Sequence, residues 1–143
     1  MSENKTNKMK IQSREIIRTI IFGFLIWFIP ALVATLLWDV SKNQPAIDNI
    51  WYNAILGAVW SSNFAFVAYL YFKNLKDDYS KYGFITGIIW YIMSFLLDFL
   101  VVVIILNLGI ESFLPGVVVY INNFVLAGMI GYLLMKKIQR EQN

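Results

Sequence analysis

Four runs of about 20 or more mostly apolar residues, parted by short polar or charged segments, constrain this chain more than any other feature. They fall at about 19–38, 51–72, 82–108 and 113–135. A helix needs roughly 20 apolar residues to cross the hydrocarbon layer. Inside that layer each segment must satisfy its own backbone, which a helix does. The runs therefore predict an all-α membrane protein, a four-transmembrane-helix bundle. One transmembrane domain covers 16–138, between a polar, basic tail at 1–15 and a short tail at 139–143.

Composition agrees. Of the 143 residues 59% are apolar, against about 45–50% in soluble domains. Only 15% are charged, and these cluster at the ends of the runs. A soluble domain of this size could not cover such a composition with its available surface chemistry. The first run follows basic residues as a signal peptide does. It is longer than the roughly 7–15 residues of a signal core and precedes no small-residue cleavage site, so it reads as a retained span.

Lys and Arg set the expected orientation, because cytoplasmic loops are enriched in them. Lys5, Lys8, Lys10, Arg14 and Arg18 precede the first span. Lys73, Lys76 and Lys81 flank the second linker, and Lys136, Lys137 and Arg140 follow the fourth span. Four spans require those three segments to share a side, which holds eleven of the twelve cations and leaves only Lys42 opposite. Both termini are therefore expected in the cytoplasm, with the protein in the cell membrane of a prokaryote. The basic residues form no continuous stripe, so nucleic acid is not an expected partner. Trp38, Trp51 and Tyr52 read as the outer aromatic belt. Tyr69, Tyr71, Tyr79, Tyr82 and Tyr132 read as the inner one.

Helices in lipid associate through small residues. Ala54, Ala58, Ser61, Ala65 and Ala68 line one seam of the second span at 4, 3, 4, 3 spacing. Gly116, Tyr120, Asn123, Ala127 and Gly131 share a face of the fourth, and Thr19, Gly23, Trp27 and Ala34 offer one on the first. Pro30 lies within the first span. It cannot donate to the Ile26 carbonyl, so it marks a kink and a candidate hinge.

The interior has one acid. Eight of the nine acidic residues lie in tails, linkers or span boundaries, and Asp98 lies deep in the third span, near the bilayer centre. An acid there costs about 2.5–3.5 kcal/mol on insertion scales, so it should face the bundle interior. Gly87, Tyr91, Ser94 and Asp98 fall on one helix face, and Asn122, Asn123, Ser61, Ser62 and Asn63 lie at matching depth. Asp98, Ser94, Asn122, Asn123, Ser61, Ser62 and Asn63 form the candidate midplane site. No cation lies level with Asp98, so its neutral form is expected at rest, hydrogen-bonded to Asn123, Asn122 or Ser61. Such a layer either fixes helix register or binds a proton or cation.

The absence of Cys and His removes thiolate and imidazole metal sites and nucleophile–base pairs. With one intramembrane acid, neither catalysis nor a cofactor is expected. The runs GFLIWFIP (Gly23 to Pro30), WYIMSFLLD (Trp90 to Asp98) and GYLLMKK (Gly131 to Lys137) resemble those of a group of small prokaryotic four-span membrane proteins. That resemblance implies the same four-span fold and draws attention to Trp27, Pro30, Trp90 and Asp98. It implies no activity. Small multidrug exporters are similar in size but carry their essential acid in the first span, where this chain has none. The expected partners are the lipid bilayer and a second copy or another membrane protein. The expected role is structural or accessory, packing through small-residue faces. The alternative is a proton- or cation-coupled transporter or channel subunit using Asp98.

Overall fold

The computed structural model describes residues 2–75 and 78–141, with side chains from Arg14 onward. Of the cations counted above, Lys76 lies outside the described residues, as does the end of the 139–143 tail. Among the described residues the chain is helical apart from one small hairpin and the short linkers. Helix α1 (Ser2–Leu36) leads to strands β1 (Trp38–Asp39) and β2 (Gln44–Pro45). Helices α2 (Asn49–Lys73), α3 (Tyr79–Asp98) and α4 (Ile110–Glu141) follow, with α3 continued by a π-helical segment, Phe99–Ile105. Four stretches are long and apolar enough to cross a membrane: Arg14–Leu36, Asn49–Lys73, Tyr79–Ile105 and Ile110–Glu141.

The boundaries differ from expectation in physically readable ways. The 1–15 tail continues the first helix back to Ser2. The first linker holds the two-stranded hairpin, whose turn includes Asn43 at φ 51°. Asn tolerates that left-handed backbone better than most residues. The third helix stops at Ile105, and α4 already begins at Ile110, so the last linker is 106–109. Asn107 and Gly109 take φ 52° and 81° there, which turns the chain back sharply.

Helix α1 packs along both α2 and α3, and α3 packs along α4. Antiparallel pairing is visible in side-chain contacts. Arg18 reaches the end of α2 at Leu70 and Tyr71, whereas Trp38 meets Tyr52 near its start. Small residues let α3 and α4 approach backbone to backbone. A Cβ on Gly83 would lie 2.7 Å from the Ala127 carbonyl, and one on Gly87 would lie 2.9 Å from the Phe124 backbone. Facing them, α4 presents Ala127 and Gly131, so each helix contributes a small-x-x-x-small pair.

Trp90 occupies the junction of α1, α2 and α3. It is fully buried, edge-on to Phe64 and Tyr71, and lies over Gly23. Its indole N–H donates to the Thr19 carbonyl at 2.9 Å. Around this junction the usual partition is inverted. Thr19, Asn63, Thr86, Ser94 and Asn123 are buried, while Ile16, Leu32, Phe66, Ile104 and Val118 stand exposed. An apolar exterior around a polar-bearing core suits lipid rather than water.

The expected small-residue seam of α2 requires correction. Only Ala68 of the five is buried; Ala54, Ala58, Ser61 and Ala65 are exposed. The buried face of α2 carries Asn63, Phe64, Val67, Ala68, Tyr71 and Phe72 instead. Large side chains filling the junction around Trp90 bury more surface than alanines could. The seams on α1 and α4 do face their neighbours: Thr19, Gly23, Asn123, Ala127 and Gly131 are all buried.

Candidate functional site: the polar layer around Asp98

Asp98 lies seven residues before the third helix ends at Ile105. Its carboxyl group joins three helices. One oxygen, Oδ1, accepts the indole N–H of Trp27 on α1 at 2.8 Å. The other, Oδ2, is hydrogen-bonded by the Tyr120 hydroxyl of α4. Gly116 makes room for this pair. A Cβ there would lie 3.1 Å from the Tyr120 hydroxyl and 3.3 Å from Asp98 Oδ2. Indole can only donate, so Oδ1 must accept and the carboxyl plane is fixed. A phenol both donates and accepts, so the second bond survives with the proton on either group. The π-helical segment starts at the next residue, Phe99.

These partners correct the expected ones. Asp98 pairs with Trp27 and Tyr120, not with Asn123, Asn122 or Ser61. Asn123 is buried and donates through Nδ2 to Ser94 Oγ at 3.1 Å, joining α3 and α4 one turn away; its Oδ1 has no partner among the described residues. Asn122 is exposed, because one residue of α-helix turns it about 100° off the packed face. Ser61 is exposed and bonds back to the Gly57 carbonyl of its own helix. Ser62 is also exposed, on the same outward side of α2. The candidate residues thus divide. Asp98, Ser94 and Asn123 gather between α3 and α4, Asn63 joins α1 to α2, and Ser61, Ser62 and Asn122 look outward.

Asn63 explains how α1 tolerates Pro30. Its Nδ2 donates to the carbonyls of Leu25 and Ile26 at 3.1 and 3.2 Å. Ile26 is the residue whose carbonyl loses its usual partner because Pro30 has no N–H. A side chain of α2 thus supplies the missing donor and turns a defect in one helix into a link between two.

A second polar cluster lies toward the Arg18 end. The Tyr71 hydroxyl shares hydrogen bonds with Thr19 Oγ1 at 2.9 Å and Thr86 Oγ1 at 2.7 Å. Three helices meet at that one oxygen. Tyr71 is completely buried and belongs to the core, not to the aromatic belt, unlike the exposed Tyr69 and Tyr132. Arg18 donates to the Leu70 and Tyr71 carbonyls, stands 3.8 Å from Glu15, and lies over the Phe22 and Tyr71 rings. The last carbonyls of a helix have no partner of their own and carry its negative end, so a guanidinium there caps α2.

Sequence reasoning missed this cluster, the Gly83 contact and the role of Tyr120 as a partner of Asp98. Two signals were present. Gly83 and Gly87 form a G-x-x-x-G pair within an apolar run. Thr86, Trp90, Ser94 and Asp98 recur every four residues along one face of α3, and all four make hydrogen bonds to other helices.

Two outward-opening grooves, of about 470 and 210 Å3, are lined by Ile29, Ala58, Val59, Ser62 and Asn63 and by Ile88, Tyr91, Ile121 and Phe124. Asp98 lines neither. Among the described residues no three acidic, Cys or His side chains come together. Comparison with family models, curated proteins and solved structures returned no match. The chemistry therefore rests on geometry: a single carboxyl group, held on both oxygens by neighbouring helices, can fasten those helices and can carry one proton.

Proposed function

We propose that this chain is a non-catalytic structural or accessory protein of the cytoplasmic membrane, with both termini in the cytoplasm. The observation that carries the reading is the double engagement of Asp98, whose two oxygens tie α3 to α1 through Trp27 and to α4 through Tyr120. Groups built to receive cargo need free valences facing a path. Here Asp98 faces its own bundle, and Asn63, Ser94, Thr86 and Tyr71 likewise bond across helices. Interhelical hydrogen bonds in membranes average about 0.6 kcal/mol, so such a set specifies register more than it adds stability. The distribution of Lys and Arg supports the orientation.

One observation favours a second reading, proton- or cation-coupled transport through Asp98. The helix becomes π-helical directly after Asp98, and such irregularities recur at functional sites. The test is flux in vesicles reconstituted with the full chain and with Asp98→Asn. The amide retains an acceptor for Trp27, so the fold should persist. Identical decay of an imposed pH or Na+ gradient in both preparations and in protein-free vesicles is expected. Flux present in the native chain and lost in Asp98→Asn would overturn the structural reading.

A further inference from the structure

Two polar rungs join α3 to α4 near the bilayer centre. The outer rung is Asp98 with Tyr120, and the inner one is Ser94 with Asn123. Ser94 precedes Asp98 by four positions on α3, and Tyr120 precedes Asn123 by three on α4, so the rungs lie about 5 Å apart. The inner rung is sealed, with Ser94 1% exposed and Asn123 0%. Asn123 gives its NH2 group to Ser94 Oγ, and its Oδ1 has no partner among the described residues. A buried amide oxygen in that state is costly, and only a hydrogen-bond donor or a cation relieves it. The outer rung carries the complementary defect. Trp27 and Tyr120, the partners of the Asp98 carboxyl group, are both neutral. No Lys or Arg lies between Arg18 and Lys42, between Lys42 and Lys73, or between Lys81 and Lys136. An ionised carboxylate there has hydrogen bonds but no counter-charge.

The geometry points to a site for one sodium ion between the two rungs, held by Asp98 Oδ2, Tyr120 Oη, Asn123 Oδ1 and Ser94 Oγ. The two hydroxyl oxygens each keep a lone pair beyond the hydrogen bond they make within their rung. Sodium is close to calcium in size, and calcium holds its oxygens at about 2.3–2.6 Å, roughly half the spacing of the rungs. One carboxylate balances one positive charge, whereas calcium sites commonly draw on several acids, so the donor set suits a monovalent ion. Gly116 keeps the space beside the carboxyl group clear, since a Cβ there would lie 3.3 Å from Asp98 Oδ2. Asp98 and Tyr120 are half-buried while Ser94 and Asn123 are buried, so the approach is from the Asp98 side. A bridging water satisfies Asn123 Oδ1 equally well but leaves the carboxylate without a counter-charge; the cation answers both defects at once. The proposal rests on the structural reading of the polar layer and adds its counter-ion, a resident fastener of α3 to α4 rather than cargo.

The test compares thermal unfolding of the full chain in dodecylmaltoside micelles, followed by tryptophan fluorescence, in sodium chloride and in choline chloride of equal concentration. Choline keeps the ionic strength constant and is too large to sit between the rungs. Sodium at about ten times its Kd should raise Tm by about 3–6 °C over choline. Asp98→Asn removes the charge and Asn123→Ala removes the unpaired oxygen, so the difference between the two salts should vanish in both, whatever their Tm in choline. Asn122→Ala alters an exposed neighbour and should keep the full difference. Equal midpoints in the two salts for the native chain, a difference that persists in Asn123→Ala, or one that is lost in Asn122→Ala would each overturn the proposal. The gradient assay reads flux and this one reads occupancy, so failure of the structural reading and failure of the sodium site are separable.

Discussion

Gly131 faces the backbone of α3 across the α3–α4 crossing, and adding one methyl group there tests the packing directly. A Cβ on Gly131 would lie 2.3 Å from the Tyr79 carbonyl oxygen and 2.9 Å from Gly83 Cα. Favourable contacts between such atoms begin near 3.5 Å, so the helices must part by about 1 Å. Neither obstacle is a flexible side chain, and neither can swing aside. Overpacking of this kind costs about 1–3 kcal/mol. Ala is also a better helix former than Gly, by up to about 1 kcal/mol, which works in the opposite direction. Gly57→Ala isolates that term, because nothing lies within 4 Å of the added methyl. Gly128→Ala adds an ordinary contact with the Phe84 ring at 3.7 Å. Reversible unfolding in mixed micelles, titrated with sodium dodecyl sulfate and followed by tryptophan fluorescence, gives the three stabilities. Gly131→Ala should fall about 1–3 kcal/mol below Gly57→Ala, with Gly128→Ala close to the latter. If Gly131→Ala matches Gly57→Ala within about 0.5 kcal/mol, the size of a neutral surface change, the close crossing is wrong.

Two further outcomes follow from single side chains. Asn63→Leu should destabilise the bundle by about 1–3 kcal/mol by stranding the Ile26 carbonyl. In a Pro30→Ala background, where residue 30 regains an N–H for that carbonyl, the same change should cost less; additive effects in the same unfolding assay would refute the link. In the first linker, the Ser41 hydroxyl first, then the backbone N–H groups of Lys42 and Ser41, hold the Asp39 carboxyl below its ordinary value of 3.8, outweighing the opposing effect of desolvation. A lowered folded value means that the turn's contribution is present above the unfolded value and is lost as pH falls through the lowered one. Carboxyl 13C titration should place the Asp39 midpoint below 3.8 and move it upward in Ser41→Ala, and an unmoved midpoint would refute the assignment.

The helices were legible because crossing a bilayer demands a long apolar run, and such a run survives any rearrangement of neighbours. Helix ends were less so. The end at Ile105 and the turn through Asn107 and Gly109 depend on backbone conformations that hydropathy does not encode. Rotation about each helix axis was the harder problem. On α1 and α4 the small residues mark the buried side, because glycines at 23 and 131 admit Trp90 and the α3 backbone. On α2 the same rule fails. Its buried side is set by Phe64, Val67, Tyr71 and Phe72 gathered near Trp90, and the alanines are left outside. Asp98 stood out as the one intramembrane acid, but its partners did not. Depth matching favoured Asn and Ser, whereas the groups that reach it are an indole and a phenol, whose polar atoms sit at the far end of long, mostly apolar side chains.

That last difference bears on what the polar layer does. Trp27 and Tyr120 can span from neighbouring helices to Asp98 while lining the intervening space with ring carbon. The same economy recurs where the Trp90 indole reaches the Thr19 carbonyl and the Tyr71 hydroxyl reaches Thr19 and Thr86. Each aromatic carries one polar atom to a partner on another helix and excludes water with the rest of its surface. A path for ions needs the reverse, polar groups facing a continuous wet space. Hydrogen bonds delivered on aromatic arms therefore tie α1 to α3 at two levels, through Trp90 and through Trp27, and these two parallel helices cannot slip by one turn without breaking both. Register is the property that such a pair of links controls.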